Sequence, residues 1–581
     1  MIDLTAPAAA AADISEIFSA IDAAPASIWI TVRDEAAVRA DADAVAGRVR
    51  AGEHLPLAGL AFAVKDNIDV AGLPTTAGHP AFSRIADRDA TVVERLLSAG
   101  AILIGKTNMD QFATGLVGTR SPYGVVTSSL DPERVAGGSS SGSGAAVGHA
   151  LVDFSLGTDT AGSGRVPAAF NGILGIKPTL GLLPLDGVVP ASPSYDTVSV
   201  FAADLSIAAL VMREVVGPSP SDPKSRSWSA AARHAAPSRP TIAVPDRTSL
   251  ASLSPAALSA FDTAIARLEA MGAQVRTIDL APFLATAALL YGGGLVSERA
   301  WSYGEFLAQH PESADPSVAT IATAAMTVEG IAVIDAQQAV ARAKLHAENV
   351  LAGTDALLIP TAPIHPTVAE VAADPIRVNS TVGTFTNFVN LMDMAAVAVP
   401  LGLVPGVGAF GISFVVPAFH DQVALDLAAR FLDEAPVTTA TGDTATTGYD
   451  IDGVEVAVFG AHMAGEPLNP QLQALGARFV RSIRTAAHFR MLLVEGEVER
   501  PAVVRSTDGA ELPGELWRMS PLALSSLLQS IAAPLALGEI ELADGSSTIG
   551  FTASVDLTQP DITECGGWRA FRASSTIPAA V

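Results

Sequence analysis

The chain has 581 residues, of which 49% are hydrophobic and 16% are charged, so it is long enough for two domains with large buried cores. Its formal net charge of −25 argues against a nucleic-acid partner, because such partners require a basic surface. The single cysteine, Cys565, permits no internal disulfide and fits a reducing, cytoplasmic location. The sequence has no zinc-ligand spacing, HExxH motif or Walker loop, so we expect no metal and no other cofactor.

Predicted strands and helices alternate along the N-terminal half. The alanine-rich N-terminus lacks a basic segment, so we do not expect a secretory signal. The hydrophobic pattern predicts strands at 56–64 and 101–105, and helices at 90–99 and 140–151. This alternation is typical of an α/β fold with a mixed central sheet covered by helices. Residues 217–240, rich in Pro, Ser and Arg, are predicted to form a surface excursion.

One apolar stretch, 395–419, carries no charged residue and is long enough to span a bilayer. However, Pro400, Pro405 and Pro417 interrupt any straight helix there. We therefore predict short buried strands in this stretch, and no membrane insertion.

A lysine and two serine-bearing turns form the first candidate site. Lys65 follows a predicted buried strand, where desolvation lowers the pKa of an ammonium group so that the neutral amine can act as a base. The loop 137–144 is rich in serine and glycine, and Ser163 stands between two glycines. A serine hydroxyl needs a positioned base, and Ser-Lys variants of the hydrolytic triad exist. Taken alone, such a loop is more often a linker, and such a lysine more often a solvent-exposed strand end.

The backbone around Ser163 also fits the stabilisation of an oxyanion. Ala161 and Gly162 have little or no side chain, so the N–H groups of residues 160–163 can converge on one point. One such donor is worth roughly 3 kcal/mol of barrier.

Three motifs together resemble the amidase signature family. They are KDN at 65–67, GGSSSGS at 137–143 and GTDTAGSGRVPAAFNGILGIKPT at 157–179, in matching order and spacing. The resemblance covers roughly residues 20–430 and implies the amidase signature fold, an α/β architecture with a mixed central sheet.

The resemblance also implies the role of each residue in these motifs. Ser163 is the expected acylated nucleophile, Ser139 the bridging serine after a cis peptide bond from Gly138, and Lys65 the base. The expected oxyanion donors are the backbone N–H groups of Thr160, Ala161, Gly162 and Ser163. Many family members have glycine where this chain has Ala161, but a methyl group leaves the N–H in place.

Two segments narrow the substrate. MDQFATGLVGTRSPYG at 109–124 resembles the same loop of allophanate hydrolases, which implies that Gly124 contacts the substrate. Tyr291 and Arg299 lie eight residues apart, about two helical turns, and are predicted to share one helix face. In allophanate hydrolases a tyrosine and an arginine at this spacing hold the substrate, whose carboxylate fits a guanidinium fork. Judged without the resemblance, Arg299 is more often a solvent-exposed charged residue on a helix. The glycines at 292–294 are also unfavourable in a helix.

The change in composition near residue 435 predicts that the C-terminal part is a separate domain. We predict an amidase domain at 1–434, a Thr/Ala/Gly-rich linker at 435–450 and a small α+β domain at 451–581. The last of these resembles the C-terminal domain of allophanate hydrolases, whose fold is like that of gamma-glutamyl cyclotransferases. His488 is the candidate for assisting a second reaction step, with His462 as the other titratable residue. A structural role is the more frequent one for a histidine on a strand.

These resemblances imply hydrolysis of allophanate, a small anionic amide, to ammonia and carbon dioxide. The expected route is a Ser-Ser-Lys acyl-enzyme mechanism whose N-carboxycarbamate product then decarboxylates. Two alternatives stay open: a broader amidase for small acid amides, and a non-catalytic assembly subunit. The expected state is a homodimer. Because the 581 residues contain no biotin-carboxylating region, we expect urea carboxylase, or enzymes of biuret or triazine breakdown, to supply the substrate.

Overall fold

The chain folds into two compact units. The computed structural model describes residues 1–2, 4, 7–433, 448–496, 498–553 and 559–575. The first unit comprises Met1–Ser227 with Arg239–Tyr449, and the second comprises Trp228–Ser238 with Asp450–Val581. The predicted linker at 435–450 lies almost wholly outside the described residues. Its boundaries therefore stay a prediction.

A large mixed sheet forms the centre of the first unit. The strands of this unit are β1 (Trp29–Val32), β2 (Ala61–Lys65), β3 (Pro74–Thr75), β4 (Arg84–Ile85), β5 (Ile102–Thr107), β6 (Phe154–Asp159), β7 (Leu174–Lys177), β8 (Thr197–Ala202), β9 (Thr241–Pro245), β10 (Gln274–Ile278), β11 (Ala356–Pro360), β12 (Ala395–Val404) and β13 (Gly408–Val416). Among the described residues the sheet has eleven strands in the order β1-β5-β2-β6-β8-β7-β12-β13-β11-β9-β10, while β3 pairs with β4. Strand β2 runs parallel to both β5 and β6, whereas β12 and β13 are antiparallel.

Helices cover this sheet. They are α1 (Pro7–Ala23), α2 (Glu35–Arg50), α3 (Thr91–Ser98), α4 (Ser141–Gly148), α5 (Val166–Asn171), α6 (Leu205–Val215), α7 (Pro255–Ala270), α8 (Ala281–Ala287), α9 (Leu289–Gly292), α10 (Ser297–Arg299), α11 (Glu305–Gln309), α12 (Pro316–Ala325), α13 (Gly330–Leu351), α14 (Val368–Ala373), α15 (Pro375–Val382), α16 (Asn387–Leu391) and α17 (Asp421–Leu432). A π-helical turn, Ala300–Gly304, joins α10 to α11. No single helix within the described ranges is long and apolar enough to cross a membrane, although the bent pair α12 and α13 passes that test together.

The predicted elements of the first unit are present with shifted ends. Strand β2 begins at Ala61 rather than at residue 56, because the preceding residues form a turn with Gly59 at φ +82°. The apolar stretch 395–419 forms the hairpin of β12 and β13, as predicted, with both strands largely buried. Helix α4 consists of small residues because it packs closely on its neighbours: a Cβ on Gly142 would lie 2.2 Å from the carbonyl oxygen of Ile28.

The second unit is an α+β domain, as predicted. Its strands are β14 (Val454–Val458), β15 (Arg478–Arg484), β16 (Phe489–Val494), β17 (Arg500–Arg505), β18 (Pro513–Met519), β19 (Leu535–Glu541) and β20 (Ser547–Ala553), and its helices are α18 (Asn469–Ala474), α19 (Pro521–Ser530) and α20 (Trp568–Ser575). In the described residues, five strands form a sheet in the order β15-β18-β14-β20-β19, and β16 pairs with β17. A core that includes Trp517 and Trp568 packs between these elements.

Part of the predicted surface excursion at 217–240 belongs to this second unit, which corrects the prediction. The backbone N–H of His234 donates to the carbonyl oxygen of Gly476 at 2.9 Å. The hydroxyl of Ser238 donates to Gln473 at 2.7 Å, and Arg233 donates to the carbonyl oxygen of Ala474 at 3.1 Å. His234 is buried. The segment 228–238 is therefore an integral piece of the second unit, although it is encoded within the sequence of the first.

Candidate active site

Three predicted residues form one chain of hydrogen bonds. The ammonium nitrogen Nζ of Lys65 lies 2.7 Å from the hydroxyl oxygen Oγ of Ser139, and Oγ of Ser139 lies 3.0 Å from Oγ of Ser163. Lys65 also donates to the hydroxyl of Thr158 at 2.8 Å. The exposed fractions of Lys65, Ser139 and Ser163 are 0%, 0% and 2%. A continuous and almost dry path thus connects the lysine with the outer serine.

Strand ends and the start of a helix bring these groups together. Lys65 is the last residue of β2, and Thr158 lies near the end of the adjacent parallel strand β6, so both reach the same edge of the sheet. Ser163 lies in the turn that follows β6, and Ser139 precedes α4. The peptide bond from Gly138 to Ser139 is cis, as the resemblance implied.

Burial prepares Lys65 to act as a base. Removal from water lowers the pKa of Lys65 from 10.5 to about 7, and the carboxylates of Asp110, Asp159 and Asp196 oppose this change. A pKa near neutrality leaves a large fraction of the amine unprotonated at physiological pH. That is the condition for accepting a proton from a hydroxyl.

Asp110 supports the serine loop, and sequence reasoning did not identify it. Its carboxylate accepts the backbone N–H groups of Gly118 at 3.1 Å and Arg120 at 2.9 Å. Its own N–H donates to the carbonyl oxygen of Ser139 at 3.1 Å. A Cβ on Gly138 would lie 2.1 Å from the Asp110 carboxylate, so a larger residue at position 138 would displace this support.

The turn after β6 is held by a buried ion pair between Asp159 and Arg165, at 2.9 Å. The carboxylate of Asp159 also accepts the backbone N–H groups of Gly162 and Gly164, each at 2.9 Å. This corrects the prediction for Gly162, because its N–H is already directed at a carboxylate. The N–H groups of Thr160, Ala161 and Ser163 stay predicted oxyanion donors.

A second carboxylate, that of Asp196, holds the same turn from the other side. The hydroxyl of Thr160 donates to Asp196 at 2.5 Å, and the N–H groups of Ala191 and Ser192 donate to it at 2.9 and 3.0 Å. Burial raises the pKa of Asp196, while these hydrogen bonds work against that rise. Asp159 and Asp196 therefore both hold the turn at residues 160–164, which we call the oxyanion turn after its predicted donors.

Tyr291 and Arg299 do meet, but not on one continuous helix. The guanidinium carbon of Arg299 lies 4.4 Å from the centre of the Tyr291 ring. Helix α9 ends at Gly292, and Gly293 is extended, with φ −129° and ψ −164°. The prediction of a shared helix face is therefore wrong, because the glycines break the helix. A Cβ on Gly294 would lie 2.1 Å from the carbonyl oxygen of Ala332, so this close approach requires glycine.

Gly124, the third predicted substrate-binding residue, lies in a turn that contacts Asn108. Gly124, at φ +110°, closes a turn in which its N–H donates to the carbonyl oxygen of Ser121 at 3.3 Å. Its carbonyl oxygen accepts the side-chain amide of Asn108 at 3.1 Å. These contacts hold the loop 121–124 against Asn108, and substrate contact by Gly124 stays a prediction.

In the second unit, His488 belongs to a charged surface cluster. Its ring nitrogen Nε2 lies 2.9 Å from a guanidinium nitrogen of Arg505 and 3.3 Å from the carboxylate of Glu541. The side chain of His488 is 34% exposed. His462 is half-buried, its ring stacks on that of Phe551 with 4.8 Å between the ring centres, and desolvation lowers its pKa. Within the described ranges, no group of three or more His, Cys, Asp or Glu residues has the geometry of a metal site.

Comparisons with known proteins agree with this geometry. Residues 14–425 match the Amidase family, and residues 454–573 match the Allophanate hydrolase C-terminal domain. The chain belongs to the amidase family. It is an amidase-signature hydrolase with the amidase signature fold, as the motifs predicted.

Two relatives resemble the chain over most of its length. The allophanate hydrolase of Kluyveromyces lactis superposes with a TM-score of 0.87 and 34% identity, covering 98% of this chain and 97% of that one. The urea amidolyase of Saccharomyces cerevisiae is 38% identical over 545 residues, which cover 89% of this chain and 30% of the relative. This amidase-family chain thus spans about a third of the length of the urea amidolyases that it matches.

Proposed function

We propose that the chain hydrolyses allophanate, releasing ammonia and leaving N-carboxycarbamate, which then decarboxylates. The likeness to an allophanate hydrolase over nearly the whole of both chains supports this proposal. The observation that carries it is the environment of Arg299, because this residue distinguishes an anionic substrate from a neutral amide.

Arg299 is a buried cation with which no carboxylate of the described residues forms a direct ion pair, although Asp196 acts on it electrostatically. Its exposed fraction is 0%, and among the described residues its Nε and Nη2 atoms have no hydrogen-bond partner. Its Nη1 donates to the carbonyl oxygen of Leu290 at 3.3 Å. A buried charge without a directly bonded counterion is costly. A substrate carboxylate would supply the missing acceptor through two parallel hydrogen bonds, while Tyr291 covers the guanidinium face.

The relay performs the acyl transfer. Neutral Lys65 takes the proton of Ser139, Ser139 takes the proton of Ser163, and Oγ of Ser163 attacks the carbonyl carbon of the terminal amide. Backbone N–H groups of the oxyanion turn stabilise the tetrahedral intermediate. The relay then runs backwards to protonate the leaving ammonia, and water hydrolyses the acyl-enzyme by the same route. The 2.7 and 3.0 Å contacts serve proton transfer in either direction.

A comparison of ammonia release from four substrate types tests the proposal. Allophanate is expected to give the highest kcat/KM, followed by malonamate, whereas urea and hydrophobic amides lack the carboxylate and react far more slowly. Equal rates on allophanate and malonamate would favour the broader acid amidase instead. A preference for a hydrophobic amide would refute the substrate assignment.

We also infer the setting of the reaction. The proposed enzyme is a cytoplasmic homodimer that receives allophanate from urea carboxylase, or from biuret or triazine breakdown, and the likeness to a urea amidolyase supports a link to urea breakdown. Assistance by His488 in the decarboxylation step belongs to the same proposal. A purely structural assembly subunit is disfavoured, because a scaffold has no need for a dry Lys-Ser-Ser chain.

A further inference from the structure

The segment around Arg299 also makes hydrogen bonds to the loop 191–196, and the proposed substrate contacts do not account for these bonds. Glu298, the neighbour of Arg299, points its carboxylate at the loop 191–196. One oxygen of Glu298 accepts the hydroxyl of Ser192 at 2.7 Å and the backbone N–H of Ser194 at 3.0 Å. Glu298 therefore bonds directly to this loop, whereas Arg299 acts on its Asp196 electrostatically and without a hydrogen bond.

Ser192 donates hydrogen bonds to two carboxylates. Its hydroxyl donates to Glu298, and its backbone N–H donates to Asp196 at 3.0 Å. Asp196 in turn accepts the hydroxyl of Thr160 at 2.5 Å. A path of short hydrogen bonds thus runs from Glu298 through Ser192 and Asp196 to the turn that contains Ser163.

The π-helical turn Ala300–Gly304 keeps the Arg299 segment in place. A π turn is wider than an α turn and is frequent at functional sites. Here the hydroxyl of Ser302 lies 3.5 Å from the carbonyl oxygen of Ala191, so it touches the same loop as Glu298. The hydroxyl of Tyr303, which is buried, lies 2.5 Å from that of Thr114. The segment is therefore anchored on both sides of Arg299.

We propose that Glu298 is a positioning residue, which ties the carboxylate-binding segment to the oxyanion turn. This inference rests on the proposed function, since it assigns Arg299 to the substrate. When a substrate carboxylate is held at Arg299, the amide carbonyl must lie against the N–H groups near Ser163. Glu298 fixes the distance between these two places, and it does so without touching the substrate.

The test separates kcat from KM on allophanate. Glu298→Ala is expected to lower kcat by about 10- to 100-fold, because a small misplacement of the oxyanion turn affects the reacting geometry. KM should change by less than about 3-fold, since Arg299 still binds the carboxylate. Glu298→Gln keeps an oxygen acceptor for Ser192 and Ser194, and its kcat should stay within about 3-fold of the wild-type value.

Two further variants keep the proposal falsifiable if Glu298→Ala does not fold. Ser192→Ala removes one donor to Glu298 and should lower kcat in the same direction by a smaller factor. Glu305→Ala removes an exposed carboxylate from the start of α11 and should leave both constants unchanged. A loss that appears only in KM, or a Glu298→Gln enzyme as slow as Glu298→Ala, would overturn the proposal.

A double variant tests the path itself. Thr160→Val removes the hydroxyl that donates to Asp196. If Glu298 acts through Asp196, the combined kcat loss of Glu298→Ala and Thr160→Val should be smaller than the product of the separate losses. Losses that multiply would overturn the path. A wild-type enzyme that prefers a neutral amide would refute allophanate as the substrate, and the kcat series on that amide would still test the tether.

Discussion

The two units place their candidate catalytic groups in opposite environments. In the first unit, Lys65, Ser139 and Ser163 are at most 2% exposed and bonded to one another. In the second, His488 is 34% exposed and shares its ring nitrogen with Arg505 and Glu541. Burial lowers the pKa of Lys65, whereas His488 lies where solvent screens charges. This difference supports the proposal that the buried set carries out acyl transfer, and it limits the proposed role of His488 to contact with a released product.

Removal of the nucleophile is the largest expected effect on the buried side of this comparison. Ser163→Ala should lower kcat by about 10^4-fold or more, since the remaining groups bind the substrate but cannot form an acyl-enzyme. Ser141→Ala, on the same loop, is a matched control because its hydroxyl makes one contact of 3.4 Å outside the relay. Ammonia release and thermal unfolding of both variants measure the outcome. Substantial activity in Ser163→Ala would show that the relay is wrongly assigned.

The pH profile is the next test of the buried set. The pKa of Lys65 is lowered by burial to about 7, so the neutral base is lost as the pH falls below that value. kcat/KM should therefore decrease about tenfold per pH unit below pH 7 and level off above it. Lys65→Met should remove the inflection and about 10^2- to 10^4-fold of the rate.

Lys177 is the matched control for this profile, because burial lowers its pKa to about 8. Lys177 donates to the carbonyl oxygens of Pro178 and Met394 and is not bonded to the serines. Lys177→Met should retain an inflection near pH 7. Loss of that inflection in Lys177→Met, with retention in Lys65→Met, would reverse the assignment of the base.

An intermediate effect is expected at Arg299. Arg299→Met should lower kcat/KM on allophanate by about 10- to 100-fold, the value of hydrogen bonds to a charged group. The rate on a neutral amide should change by less than about 3-fold. Thermal unfolding without substrate should occur at a higher temperature, because an apolar side chain replaces a buried cation that has no directly bonded carboxylate. Equal losses on both substrates would contradict a carboxylate-binding role.

Whether the sequence predicts a residue of this site depends on how far apart in the chain its contacts are. Local features, a strand end and a glycine turn, mark Lys65 and Ser163 only as candidates, and their roles are predictable because three motifs in matching order and spacing resemble the amidase signature family. Asp196 and Glu298 are not, because their roles depend on loops that are distant in the chain and meet only in the folded unit. The contact between Tyr291 and Arg299 was predicted from a helix, yet it forms across a broken one.

The smallest effect is expected for His488, the exposed candidate residue of the second unit. His488→Ala should leave the release of the first ammonia within about 2-fold, while decarboxylation of the product becomes slower. Glu541→Gln should act in the same direction, because Glu541 contacts His488. Arg481→Ala, which removes an exposed partner of Asp544, is the control. Unchanged release of carbon dioxide in His488→Ala would remove His488 from the mechanism.

A point variant is preferable to deletion of residues 451–581 for this test. Deletion would leave the segment 228–238 without the unit in which it packs. An activity change in the truncated chain would then have two causes. His488→Ala leaves that packing intact.

The split origin of the second unit has a consequence for biosynthesis. The segment 228–238 leaves the ribosome first, and residues 239–449 must be made before the rest of its unit follows. At about 5–20 residues per second, those intervening residues take roughly 10 to 40 seconds to translate. During that interval the segment has no native partner within its unit. Folding of the second unit is therefore completed late, because it needs both the segment 228–238, made by the middle of synthesis, and the residues from 450 onwards.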